Sequence, residues 1–159
     1  DVTHLSDTSL DQAMDIFAGS VWASHCNCRT LVSGERQLSD EQIKRVVERG
    51  GVIGAALDAW MLIPDWQRGV TTPLSSGVKL SHVVDNIDYV CQLAGNSKHA
   101  CIGTDLDGGF GLEQSPRDLD SIADLQKLPG LLTARGYSSE DINNVMGLNA
   151  IDMLRRTWC

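Results

Sequence analysis

Gly50-Gly51-Val52-Ile53-Gly54-Ala55-Ala56-Leu57 is a nearly continuous apolar run closed off upstream by paired glycines. Six apolar or small residues without polar alternation read as a strand buried on both faces, the condition of a parallel sheet covered by helices. The flanks agree. Upstream, Ile43, Val46 and Val47 recur at helical spacing behind a cap at Ser39-Asp40-Glu41-Gln42. Downstream, Leu80, Val83, Val84, Ile87, Val90, Cys91 and Ala94 define a second amphipathic helix, closed by Gly95-Asn96.

Working outward, the same alternation covers the chain. Short β-type runs end at His4, span Val21 to Ser24 and span Ala100 to Gly103. Between the first two, Leu10, Met14 and Phe17 mark a helix that starts behind a cap at Ser9-Leu10-Asp11-Gln12 and stops at Gly19. The tail adds a helix from Ile122 to Ala134, ending near Gly136, and another from Asp141 to Trp158 behind Ser138-Ser139-Glu140-Asp141. Strands separated by helices pair in parallel through right-handed crossovers, which makes the class α/β. Four strands are half of an eight-stranded barrel, which takes about 250 residues. No linker or low-complexity segment interrupts residues 1–159, so one domain is expected.

Composition excludes several functions. With 42% hydrophobic residues and only 4 prolines in 159, the chain can build a core and is not disordered. A formal net charge of −8 would repel a phosphate backbone, so nucleic acid is not an expected partner. No apolar run approaches the roughly 20 residues that span a bilayer. The five cysteines, Cys26, Cys28, Cys91, Cys101 and Cys159, are odd in number and lack disulfide-framework spacing. That points to a reducing compartment, and a cytoplasmic location is expected. His25-Cys26-Asn27-Cys28 has the wrong spacing and too few ligands for a structural zinc site.

Chemistry concentrates at the strand ends. His4, His25 and Asp105 each stand at the C-terminal end of a short β-type run. In a barrel of alternating strands and helices, that rim is where active sites are built. One histidine in a strand is ordinarily a hydrogen-bonded core residue. Two at matched ends, with a carboxylate at a third, read as metal and proton-transfer chemistry. Neutral imidazole is a good zinc ligand, and zinc brings the pKa of bound water to about 7. His82, on a helix, and His99, at the start of a strand, lack that placement and read as solvated surface residues. Asp107 reads as the cap of the Gly108-Gly109 turn. Trp60 and Trp66, after the third strand, read as pocket lining or as cover for the barrel mouth.

Specific motifs carry a resemblance. Asp1-Val2-Thr3-His4-Leu5-Ser6, Ala23-Ser24-His25-Cys26-Asn27-Cys28-Arg29 and Gln37-Leu38-Ser39-Asp40-Glu41-Gln42-Ile43 resemble the renal (membrane) dipeptidase family. So do Arg49-Gly50-Gly51-Val52-Ile53-Gly54, Ile102-Gly103-Thr104-Asp105-Leu106-Asp107-Gly108 and Arg135-Gly136-Tyr137-Ser138-Ser139-Glu140-Asp141-Ile142. The resemblance runs in order along essentially the whole chain. It implies a (β/α)8 TIM-type barrel of the amidohydrolase kind with two zinc ions (Zn2+) at the strand ends, this chain corresponding to strands five to eight. By the same resemblance His4 and His25 are ligands of one metal. Arg36, eleven residues past His25, holds the substrate carboxylate, and Asp105 serves proton transfer beside the bridging water. The family's His-x-Asp pair, its metal-bridging Glu and a substrate-polarising His are expected upstream of residue 1.

The expected function is hydrolysis of a dipeptide by a zinc-activated water, with a small dipeptide as the partner and homo-oligomerisation left open. The planar fork of Arg36 suits a free carboxylate end. Two alternatives stand beside it. One is hydrolysis of other small amides, such as N-acyl amino acids, on the same scaffold. The other is a non-catalytic fragment or binding module whose ligand-like residues do no chemistry.

Overall fold

In a computed structural model of the protein, describing residues 1–158, the Gly51–Leu57 run sits at the centre of four parallel segments laid side by side in chain order. Cys159 lies outside the described residues. The backbone ladder defines the order. Val2 N–H donates to Trp22 O at 2.9 Å, Ala23 N–H to Val52 O at 3.0 Å and Gly54 N–H to Ala23 O at 2.8 Å. On the far side, Ile53 N–H donates to His99 O at 2.8 Å and Gly103 N–H to Ala55 O at 3.1 Å. Strand β1 (Ile53–Ala55) and strand β2 (Ala100–Ile102) form the regular part, parallel, with Ile53 opposite Ala100 and Ala55 opposite Ile102.

Two of the four expected strands fall short of regular geometry. Residues 21–24 hold a single parallel bridge, Ala23 to Ile53, and in residues 1–4 the chain turns at Thr3 and His4. A ladder needs a neighbour to extend it, and the 1–4 segment is bonded along one side among the described residues. Its last residue, His4, then leaves extended geometry at φ 69°.

Both faces of the sheet are covered. Ile53 and Ala55 pack into the main core with Leu10, Ile43, Val46 and Ile87. Val52 and Cys101 point the other way, onto Met153 in a smaller cluster. Helices α1 (Asp7–Ile16), α2 (Asp40–Glu48) and α4 (Leu80–Ala94) bury most of the stripes expected of them; Val47 and Ala94 are half-buried, and Phe17 lies just past α1 and is exposed. Ser39 and Gln42 form the expected reciprocal cap of α2, while α1 is capped by Ser6, whose hydroxyl accepts the Ser9 N–H, rather than at Ser9.

The tail departs from expectation in two places. The helix expected over 122–134 divides into a 3-10 stretch (Ile122–Lys127) and α5 (Leu128–Ala134). Pro129 explains the boundary, because a residue without an N–H fits the first turn of a helix and not its interior. The helix expected to Trp158 divides into α6 (Ser139–Asn143), capped by Ser138, a π turn (Asn144–Leu148) and α7 (Asn149–Trp158). Gly147 leaves helical dihedrals inside that turn. A short helix α3 (Pro73–Ser76) and 3-10 turns at Ala59–Met61 and Leu112–Gln114 were not legible in the pattern. No helix of the described residues is long and apolar enough to cross a membrane.

Candidate metal centre and active site

Four consecutive segments ending at one rim bring three of the four expected residues together. His4 Nε2 and His25 Nε2 lie 2.9 Å apart, their rings edge to face with centroids 5.0 Å apart. Asp105 Oδ1 is 3.8 Å from His25 Nε2. His4 and Asp105 reach these positions through left-handed backbone, at φ 69° and 57°. In each case the chain turns off the strand end so that the side chain faces its neighbours rather than continuing the pleat. At Asp105 the turn is closed by Gly108, whose N–H donates to Asp105 O at 2.8 Å. A Cβ on Gly108 would stand 2.6 Å from Asp105 Oδ1. Asp105 itself, rather than Asp107, therefore shapes this turn.

Glycines also make room for His25. A Cβ on Gly54 would meet Ser24 O at 2.1 Å, and one on Gly103 would meet the same oxygen at 1.8 Å. The backbone of Ser24, the residue before His25, thus packs where neither of the next two segments of the sheet can carry a side chain.

Arg36 is anchored on the backbone that carries His25. Its guanidinium donates to His25 O at 2.8 Å and to Cys26 Sγ at 3.1 Å. It lines a cleft of about 250 Å³ with His4, Glu35 and Ser6, whereas His25 and Asp105 are not among the residues lining it. A guanidinium has five N–H donors, so two protein contacts leave others for a ligand. The loop that carries Arg36 is built from buried polar bonds. Asn27 accepts Ala56 N–H at 2.9 Å and donates to Ala56 O and Met61 O, each at 3.1 Å. Gln37 donates to Met61 O at 2.9 Å. Arg29 grips both oxygens of Asp7, at 2.9 and 2.7 Å, and also Gln37 O.

Electrostatics separates the site from its surroundings. Partial burial, then the nearby Arg36 guanidinium and the second imidazole, lower the pKa of His4, so it favours the neutral form. Burial pushes the Cys26 thiol up and Cys28 to about 12, so both are buried thiols at neutral pH in the metal-free chain. His82 Nδ1 accepts Lys79 N–H at 3.1 Å at the start of α4, and His99 Nδ1 lies 2.8 Å from Gly51 O. Both are half-buried with backbone partners, not merely solvated, and neither joins the site. Trp60 donates to Asp58 at 2.6 Å and stacks under Arg68, and Trp66 is half-buried. Neither tryptophan lines the Arg36 cleft.

Sequence reasoning missed two residues here, Asp1 and Ser24. Ser24 Oγ lies 2.8 Å from His25 Nδ1 and also donates to the Asp1 carboxylate. The available signal was position: each stands within three residues of a histidine at a strand end.

As to metal, the two imidazoles fit one ion: zinc ligands at about 2.0–2.1 Å bring donor nitrogens to roughly 3 Å of each other. Among the described residues no three His, Cys, Asp or Glu side chains form a metal-holding group, so the paired imidazoles do not by themselves make a closed site.

The ends of this parallel sheet therefore gather paired imidazoles beside a carboxylate at one rim. The chain belongs to the membrane dipeptidase family (peptidase family M19), whose model matches residues 1–157. It is 27% identical over 158 residues to an uncharacterised protein from the pqqA 5′ region of Klebsiella pneumoniae, covering 99% of this chain and 54% of that one. It is 27% identical to the dipeptidase tcpJ of Claviceps purpurea, covering 98% of this chain and 33% of the relative. Among solved structures, a metallopeptidase from Rhodobacter sphaeroides bound to a phosphinate mimic of the dipeptide L-Ala-D-Ala superposes with a TM-score of 0.85 at 22% identity, over 99% of this chain and 42% of that one. The chain thus spans between a third and about half of the length of these relatives.

Proposed function

We propose that this chain supplies strands five to eight of a (β/α)8 barrel and, within the polypeptide it belongs to, half of a zinc-dependent dipeptidase site. The observation that carries the reading is the convergence of His4, His25 and Asp105 at one rim, with 2.9 Å between the imidazole nitrogens. His4 and His25 would hold one zinc ion. When bound, zinc would bring the pKa of its water to about 7 and polarise the scissile carbonyl. Asp105 stands where it can accept a proton from the attacking water and return it to the leaving amine. Arg36, anchored on His25 O and lining the cleft it shares with His4, would bind the free carboxylate end of the substrate with its remaining donors. Overall acidity does not oppose an anionic substrate end, because the local guanidinium and metal charges dominate the site.

The test uses the full natural polypeptide, loaded with zinc. Dipeptides should be hydrolysed and the activity lost on treatment with a chelator. Chelator-resistant hydrolysis would contradict the metal chemistry, and faster turnover of N-acyl amino acids than of dipeptides would redirect the substrate assignment.

A further inference from the structure

We propose that Asp1 and Ser24 form a clamp that spaces the two histidines and holds His25 in the tautomer whose bare Nε2 faces the site. The proposal rests on reading His4 and His25 as ligands of one zinc.

The geometry is unusually complete. Asp1 Oδ1 accepts the backbone N–H of Thr3 at 3.0 Å and that of Ser24 at 3.2 Å. Thr3 and Ser24 are the residues immediately before His4 and His25, so one carboxylate oxygen ties together the two backbone positions that deliver the imidazoles. The other oxygen, Oδ2, accepts the hydroxyl of Ser24. Thr3 Oγ1 completes the cluster, accepting His25 N–H at 3.3 Å and lying 3.3 Å from Ser24 Oγ.

Donor accounting then sets the proton on His25. An ionised carboxylate only accepts, and a hydroxyl has one proton to give. The Ser24 proton is committed to Asp1, so Ser24 Oγ meets His25 Nδ1, 2.8 Å away, as an acceptor. His25 must therefore carry its proton on Nδ1. Its Nε2 is left as a lone pair, directed toward His4 Nε2 at 2.9 Å. An imidazole that binds metal through one nitrogen commonly donates its other N–H to a carboxylate, carbonyl or water, which fixes ring and tautomer. Here a hydroxyl stands between imidazole and carboxylate and passes on the same orientation. Asp1 and Ser24 are positioning residues: neither lines the cleft that Arg36 and His4 share.

The experiment compares the full natural polypeptide with its Ser24→Ala, Ser24→Thr and Asp1→Asn variants. Zinc affinity is read by chelator competition, and the tautomer of His25 in the metal-free protein by ¹⁵N NMR. The wild-type ring should be protonated on Nδ1. Ser24→Ala should weaken zinc binding by about 10- to 100-fold, the usual effect of losing such a partner, and Ser24→Thr should retain most of it. Asp1→Asn turns the group facing Ser24 into a donor, which releases the Ser24 proton toward Nδ1 and should move the His25 proton to Nε2. A merely structural role would not reverse the tautomer. A wild-type ring protonated on Nε2, or zinc bound equally well by Ser24→Ala, would overturn the clamp. Failure of the wild-type protein to take up zinc would overturn the ligand reading instead, and the tautomer measurement would still decide the clamp.

Discussion

His4 and Asp105 are held in left-handed backbone, at φ 69° and 57°, where an L residue costs on the order of 1–2 kcal/mol. Such strain at two residues of one site is maintained by the packing around it and aims the side chains. It can be measured by truncating the same side chain in two ways. His4→Gly should be more stable than His4→Ala by about 1 kcal/mol in denaturant melts, because glycine takes positive φ without a Cβ clash. Equal stabilities would mean the turn carries no strain. The chemical roles divide differently. On the proposed reading, in the full natural polypeptide His25→Ala should lower zinc content, whereas Asp105→Asn should keep the metal and reduce kcat by about 10²- to 10⁴-fold, the range for a lost general acid–base. Arg36→Ala should mainly raise KM for substrates with a free carboxylate and change little for amidated ones.

The 25–38 loop connects the second rim histidine to Arg36, and its conformation depends on α1 as much as on itself. Arg29 and Gln42 hold the Asp7 carboxyl at a pKa of about 2, against an ordinary value of 3.8. A folded pKa below the unfolded one gives stability that is complete above about pH 4 and is lost as pH falls through about 2. Asp7→Asn should therefore flatten the dependence of stability on pH between 4 and 2, as read by urea melts across that window; an unchanged slope would remove Asp7 as its source. Helices were legible because their signals are local: the Ser39–Gln42 cap and the α4 stripe lie within a few residues of the structure they make. Strands were legible as apolar runs but not as ladders, since the regularity of residues 1–4 depends on a neighbour and not on their own pattern. The His4, His25 and Asp105 triplet was readable because strand ends share a rim. Asp1 and Ser24 were not, because their hydrogen bonds cross 23 residues of chain.

Across the molecule, glycines let backbone pack closely against backbone at two places in the sheet, Gly51 against Val21 O and Gly54 with Gly103 against Ser24 O. Apolar side chains from the helices cover it on both sides, yet at Ser24 two glycines admit only backbone. Gly103→Ala would drive a methyl group into Ser24 O and should displace His25, reducing zinc uptake by the full polypeptide even though it touches no ligand; unaffected uptake would show the wall has slack. The same close packing encloses four thiols, Cys26, Cys28, Cys91 and Cys101, each buried, the last three held by desolvation at about 12, 11 and 12. Thiolate is the reactive form and is scarce at such values. Together these cysteines amount to a built-in set of clocks. Under pulsed alkylation of a Cys159→Ser background, each would mark the opening of its own region, with Cys26, on the site loop, registering before Cys101 in strand β2.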